Sequence, residues 1–145
     1  MPQVTISKDV PASPQALWAV LANFADVSWI PVAGQVEVHG DGVGMRRAIH
    51  GTGATPVVET LTSIDHGRMQ LGYSIADNPL PVSRFEALVT VGGSDTGGCT
   101  LTWQVDYDPS GSTEADAAAA HDAIEAVYGM MAGWLADAAS AEGSP

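Results

Sequence analysis

The sequence predicts an α+β fold: a seven-stranded antiparallel sheet wrapped around one long C-terminal helix, with two short helices after the first strand. Three observations predict it. Apolar positions repeat every second residue from Gln35 to Pro109, as half-buried strands require. They repeat every three or four residues at 14–23 and 114–139, as one face of a helix does. Sixteen Gly and nine Pro in 145 residues supply turns, which favours hairpins over a helical bundle.

The elements follow in order. Val4-Thr5-Ile6-Ser7 alternates apolar and polar, a half-buried strand, and Val10-Pro11-Ala12 breaks it. Ser13 reads as an N-cap with Pro14 at the first helical position. Leu17, Trp18, Val20 and Leu21 continue that helix to near Asn23. A second short helix or turn covers 24–29, and Pro31 stops it. Strands are predicted at 36–39, 45–50, 57–64, 68–76, 84–91 and 100–107. Turn signals separate them, among them Gly40-Asp41-Gly42, Gly51-Thr52-Gly53, Asp65-His66-Gly67 and Asn78-Pro79-Leu80-Pro81. Ser112 or Thr113 can cap the last helix, with Glu114 and Asp116 favouring the positive end of its dipole. An open antiparallel sheet has one apolar face to cover, and this helix is the one element long enough to cover it. A strongly twisted sheet around such a helix tends to leave space between them. With no internal repeat and no linker, one domain over 1–145 is expected.

Composition excludes several functions. Five Lys+Arg face seventeen Asp+Glu, a formal charge of −12. Lys8, Arg46, Arg47, Arg68 and Arg84 form no patch, so a nucleic acid, whose binding rests on displaced counterions, is not an expected partner. An anionic membrane surface would repel the chain, and no apolar run approaches the roughly 20 residues that span a bilayer. The start of the chain lacks signal-peptide regions, so a cytoplasmic location is expected. The single cysteine, Cys99, forms no intrachain disulfide and reads as a buried strand residue. His39, His50, His66 and His121 are scattered, and no Cys/His cluster has metal spacing; neither metal nor cofactor is expected. The glycines at 40–44 precede no helix that could hold a phosphate, and no nucleophile elbow is present.

Taken in order, several stretches resemble the START-like (SRPBCC, helix-grip) superfamily, in particular its polyketide-cyclase/dehydrase-like branch. They are Pro11-Ala12-Ser13-Pro14 with Leu17, Trp18 and Leu21; Phe24 to Trp29-Ile30-Pro31; Gly42-Val43-Gly44 with Arg47; and Val58-Glu59-Thr60-Leu61 with Asp65. Tyr73-Ser74-Ile75, Pro79-Leu80-Pro81-Val82, and Gly98 with Thr100 to Trp103 complete them over nearly the whole chain. The resemblance implies a cavity between helix and sheet for a hydrophobic molecule. It puts the loops at 51–56 and 77–82 where hormone receptors of the superfamily carry a closing gate and latch. The lysine with which those receptors pair a ligand carboxylate has no counterpart in Ile30-Pro31-Val32-Ala33, which argues against that role.

Strand parity selects the residues that face the cavity. Leu101, Trp103, Val105 and Tyr107 share one face, as do Phe85, Ala87, Val89 and Val91, and Met69, Leu71, Tyr73 and Ile75. The strand at 57–64 is ambiguous by itself: Val58, Thr60, Thr62 and Ile64 oppose Val57, Glu59, Leu61 and Ser63. The resemblance places Glu59 and Leu61 inward, and with them Arg47 and Ile49. A hairpin centred near Gly53 would then set Arg47 opposite Glu59, where unlike charges attract. On the long helix His121, Ile124, Tyr128, Met131 and Leu135 form a stripe facing the sheet, with His121 near the cavity mouth.

The expected ligand-binding set is therefore Arg47, Ile49, Glu59, Leu61, Met69, Leu71, Tyr73, Phe85, Ala87, Trp103, Val105, His121, Ile124, Tyr128 and Met131. Its aromatic and aliphatic character and its lack of lysine point to a neutral or weakly polar ring-containing molecule. The first expected function is a carrier or binding protein for it. A second is a cyclase, dehydratase or isomerase using Arg47, Glu59, Tyr73 and His121 as acid–base groups. A third is a regulatory protein whose ligand alters a partner surface through the two loops. The chain is expected as a monomer or homodimer.

Overall fold

A computed structural model describes residues 3–24, 36–50, 57–76, 82–93 and 98–142. The order is β1 (Gln3–Val10), α1 (Pro14–Ala22), β2 (Val36–His39), β3 (Arg46–Ile49), β4 (Val57–Asp65), β5 (Gln70–Ala76), β6 (Val82–Gly93), β7 (Cys99–Pro109) and α2 (Glu114–Glu142). The strands form one antiparallel sheet in the order β1-β7-β6-β5-β4-β3-β2. Six of its seven strands follow as hairpin neighbours, and β1 returns to pair with β7. Seven strands and a C-terminal helix are thus as expected. The second short helix falls on 24–29, outside the described residues except for Phe24, which lies in the turn after α1.

Both helices start where their side chains satisfy the first backbone N–H groups. The Ser13 hydroxyl accepts from the Ala16 amide at 3.1 Å, and Pro14 opens α1. At α2 the Thr113 hydroxyl accepts from the Asp116 amide at 3.0 Å. The Asp116 carboxylate in turn accepts from the Thr113 amide at 3.2 Å. These reciprocal bonds form a capping box that holds the Asp116 carboxyl below its ordinary range.

Helix α2 packs on α1, β1 and β7. It buries Ala120, Ile124, Tyr128, Ala132, Leu135, Ala136 and Ala139. The alanines bring the helix backbone close to its neighbours, and Tyr128 is the one large polar-tipped side chain on that stripe. Below it, Leu101, Trp103, Val105 and Tyr107 of β7 and Phe85, Ala87, Val89 and Val91 of β6 are all buried, as their parity requires.

A bulge in β4 resolves the ambiguous strand. Register passes from Leu61 opposite Tyr73 to Ser63 opposite Gly72 and Ile64 opposite Leu71. The inner face therefore reads Glu59, Leu61, Ile64 and belongs to neither simple parity set. On the outer face Thr62 and Ser63 crowd the same partner. A Cβ on Gly72 would lie 2.8 Å from the Ser63 hydroxyl and 3.0 Å from that of Thr62. The turn into β5 is longer than expected, because Arg68 and Met69 belong to it and Met69 takes a positive φ of 52°.

Candidate functional site

Between α2 and the sheet lies a polar cluster enclosed by rings. Arg47 on β3 and Glu59 on β4 stand directly opposite each other, at 5 % and 4 % exposure. The Arg47 Nε group donates to Glu59 Oε1 at 2.6 Å, and Nη2 lies 2.5 Å from the same oxygen in the ion pair. Nη1 donates to the Phe24 carbonyl at 2.8 Å, and the guanidinium carbon lies 3.8 Å from the centre of the Phe24 ring. One side chain thereby neutralises a buried carboxylate, satisfies a carbonyl just past the end of α1 and holds an aromatic lid by cation–π attraction.

Beside the ion pair, the Tyr73 and Tyr128 hydroxyls bond each other at 2.9 Å across the helix–sheet interface. Burial raises the Tyr73 hydroxyl far above its ordinary range. The Glu59 charge adds to the rise, and the Tyr128 hydroxyl, Arg47 and the Trp103 side chain oppose it. Tyr128 is raised well above its ordinary range too, first by burial and then by the neighbouring Tyr73 and Glu59. The rings interlock: Phe85 stacks on Tyr128 with centres 5.7 Å apart, and Trp103 meets Tyr128 edge-on at 5.1 Å.

Tyr107 is raised by burial as well, so none of the three tyrosines ionises readily in the folded chain. In the unfolded chain they ionise near pH 10. The folded state then holds more protons, so stability is full below about pH 10 and falls as pH rises above it. Tyrosinate absorbance is expected to appear together with loss of near-ultraviolet circular dichroism. Tyrosinate forming near pH 10 in a chain that keeps its fold would contradict the burial of these hydroxyls.

A cavity of about 10 Å³ sits within this cluster. It is lined by Arg47, Leu71, Tyr73, Val89 and Trp103 of the sheet, Leu21 and Phe24 at the end of α1, and Met131 of α2. Arg47, Leu71, Tyr73, Trp103 and Met131 were expected there. Glu59, Phe85 and Tyr128 join through the contacts above. Ile49, Leu61, Ala87, Val105 and Ile124 are buried in the same core, and Met69 is half-buried against it. The parity that selects Phe85 also selects Val89. Phe24 and Leu21 enter by tertiary packing, which no local pattern announces.

His121 is the correction. It does not share the buried stripe, whose first member is Ala120. Its side chain is 42 % exposed and its Nδ1 lies 3.2 Å from Glu125 and 3.5 Å from Asp122. One residue is about 100° of helix rotation, enough to carry it from the sheet to the acidic flank. With Asp122 and Glu125 it forms the one grouping of metal-ligand spacing among the described residues, on the solvent side of α2. Another histidine is tied down elsewhere: the Trp18 indole N–H donates to His66 Nδ1 at 3.2 Å, joining α1 to the β4–β5 turn. The loops expected as gate and latch lie outside the described residues, apart from Val82.

A curved antiparallel sheet gripping a C-terminal helix, with an aromatic-lined polar cluster between them, defines a START-like helix-grip domain. The chain belongs to the family described as polyketide cyclase / dehydrase and lipid transport, whose model matches residues 1–139. Among solved structures it is similar to XoxI of Bacillus cereus, at 19% identity and a TM-score of 0.80, covering 95% of each chain. It is also similar to a protein of Nitrosospira multiformis, at 25% identity and a TM-score of 0.77, covering 99% of this chain and 97% of that one. Norcoclaurine synthase of Thalictrum flavum, solved with dopamine and hydroxybenzaldehyde, is similar at 16% identity and a TM-score of 0.77. The match covers 99% of this chain and 89% of the synthase. A search of the curated proteins returns no match. No helix of the described residues is long and apolar enough to cross a membrane.

Proposed function

We propose that this chain binds a small, largely apolar, ring-containing molecule between α2 and the sheet, as a carrier or binding protein. The observation that carries this reading is the ring enclosure of Phe24, Tyr73, Phe85, Trp103 and Tyr128 around one buried, charge-neutral polar cluster. Apolar walls with a few placed polar groups are what small-molecule sites use. Membership of a family that includes lipid transport supports it further.

The 10 Å³ space has room for about one water, whereas pockets for such ligands run from roughly 300 Å³ upward. Binding therefore needs the site to open. Met131, half-buried and unbranched, and Phe24, held at the chain exit from α1, are the side chains whose movement would enlarge it. Opening subtracts from a gross hydrophobic gain of about 5 kcal/mol for 200 Å² of ligand surface, so affinities are micromolar or weaker.

Acid–base catalysis is supported less well. The Arg47 guanidinium is occupied by Glu59 and Phe24, and the tyrosine hydroxyls resist giving up a proton. The test is a thermal-shift and fluorescence screen of neutral bicyclic compounds beside phosphorylated and polyanionic ones, with turnover assayed on every binder. Stabilisation by neutral ring compounds without turnover is expected. Stabilisation by polyanions alone would overturn the reading, and turnover would move the chain to the enzymatic alternative.

A further inference from the structure

The cavity is walled at one side by the end of α1, which no strand ladder holds in place. That helix buries Leu17, Trp18 and Leu21 on one face, and Leu21 lines the cavity together with Phe24 just past the helix end. Two side chains of the sheet and its turns anchor this stretch. Arg47 of β3 holds Phe24 by its carbonyl and its ring. His66, in the turn between β4 and β5, holds Trp18. The indole N–H donates to His66 Nδ1 at 3.2 Å, and the two rings meet edge-on with centres 5.6 Å apart. The anchors differ in chemistry. A guanidinium keeps its charge and its donors at every working pH. An imidazole nitrogen accepts a hydrogen bond only while it is unprotonated, and imidazole is the side chain that changes charge between pH 5 and 8.

Trp18 is buried, whereas His66 lies at the surface within reach of solvent protons. Once both ring nitrogens of His66 carry protons, donor faces donor and the contact is lost. The charged groups nearby do not replace the acceptor. In the same turn Asp65 and Arg68 engage each other, and the Asp65 carboxylate also accepts from the Arg68 amide at 3.1 Å. Helix α1 carries no ionisable side chain, and β5 carries only the buried Tyr73. Beside the turn, β6 presents Thr90 opposite Gln70; its charges, Arg84 and Glu86, lie toward the other end of the strand and pair with each other. On α2, which packs on α1, Asp116 is taken by its cap and His121 by Asp122 and Glu125, while Glu114 and Asp137 are exposed. Among the described residues none of these accepts from the indole.

Resting on the proposed binding function, we infer that the Trp18–His66 contact is a proton-released clip on the cavity. With His66 neutral, the clip holds α1 shut and the space at about 10 Å³. Protonation of His66 frees α1, and the site opens to its ligand at mildly acid pH. A ligand enters in proportion to the fraction of open chains, so the loss of one hydrogen bond raises entry roughly fivefold.

Position 66 is exposed, so substitutions there leave the core intact. His66→Asn places Oδ1 on Cγ, where Nδ1 stands, and accepts at every pH. His66→Ala accepts at none. The probe is N-phenyl-1-naphthylamine, a ring compound that stays uncharged from pH 5.5 to 8. Stopped-flow fluorescence is expected to show its association roughly fivefold faster at pH 5.5 than at pH 8 in the wild type. Association should be fast at both pH values in His66→Ala and slow at both in His66→Asn. The Trp18 indole proton resonance, assigned by its absence in Trp18→Phe, is expected to move upfield over the same range in the wild type and to stay in place in His66→Asn. A wild-type rate that does not rise in acid, a rise that persists in either His66 variant, or a moving resonance without a change in rate would overturn the clip and leave ring binding intact. Failure of the probe to bind at either pH would overturn the binding reading itself, and the clip's role with it.

Discussion

Glu59→Gln is expected to lower stability by about 3–5 kcal/mol, because it leaves the Arg47 guanidinium charged and uncompensated in the interior. For a chain of this length that is a fall in melting temperature on the order of 10 °C. The removal of both charges in Arg47→Met/Glu59→Gln should cost less than the sum of the singles, since no orphan charge remains. The two singles should also differ in their response to pH. In Arg47→Met the stranded carboxylate can lose its charge by taking a proton that the unfolded chain holds less firmly. The folded state then binds more protons, so this variant regains stability as pH is lowered. Glu59→Gln gains nothing in this way, because a guanidinium keeps its charge. Part of the loss in Arg47→Met comes from Phe24, whose carbonyl and ring both rest on Arg47. Denaturant melts at several pH values, run as a double-mutant cycle with ligand titration alongside, read all of this. Additive, near-zero effects would show that the charges act independently and that the polar cluster is no anchor.

Trp103→Ala carries an effect of similar size for a different reason. Trp103 is 1 % exposed and lies between Ile6 on β1 and Val89 on β6, with the Tyr128 ring edge-on above it. Its removal costs about 3–5 kcal/mol, the lost transfer energy plus the void that the rigid sheet cannot fill. The void has the shape of an indole and opens directly onto the cavity that Trp103 lines. Added indole is therefore expected to restore stability, by about 2.7 kcal/mol at a hundred times its dissociation constant. The wild type, with that volume filled, should show no comparable rise. A loss under 1 kcal/mol, or a variant indifferent to indole, would place Trp103 outside the tightly packed wall.

How much of this is legible in the chain depends on the range of each interaction. In β6 and β7 alternation alone names the inner face, because one side of a sheet against a helix is dry and the other wet. The Arg47–Glu59 pair needs only the symmetry of a hairpin about Gly53, once one inward residue is known. The caps at Ser13 and Thr113 are local chemistry, and both form. Alanine-rich α2 is harder. Its small residues appear on every face, so no strong apolar stripe fixes the helix phase, and the spacing that selects His121 misses the buried stripe by one position.

What sequence determined by itself, then, was the order of the described elements, the hairpin pairing of consecutive strands and the parity of the longest strands, since these follow from period, turn chemistry and chain connectivity. Tertiary structure alone decided three things. The bulge between Leu61 and Ser63 moves Ile64 inward, because an extra residue changes parity without changing composition. Phe24 closes over Arg47 because a guanidinium taken out of water recruits every carbonyl and ring face within reach, wherever the chain supplies them. Tyr73 and Tyr128, 55 positions apart, meet only when helix and sheet close on each other. Each hydroxyl alone would be a buried polar group in need of a partner, and the packing of two surfaces chooses which partner it finds.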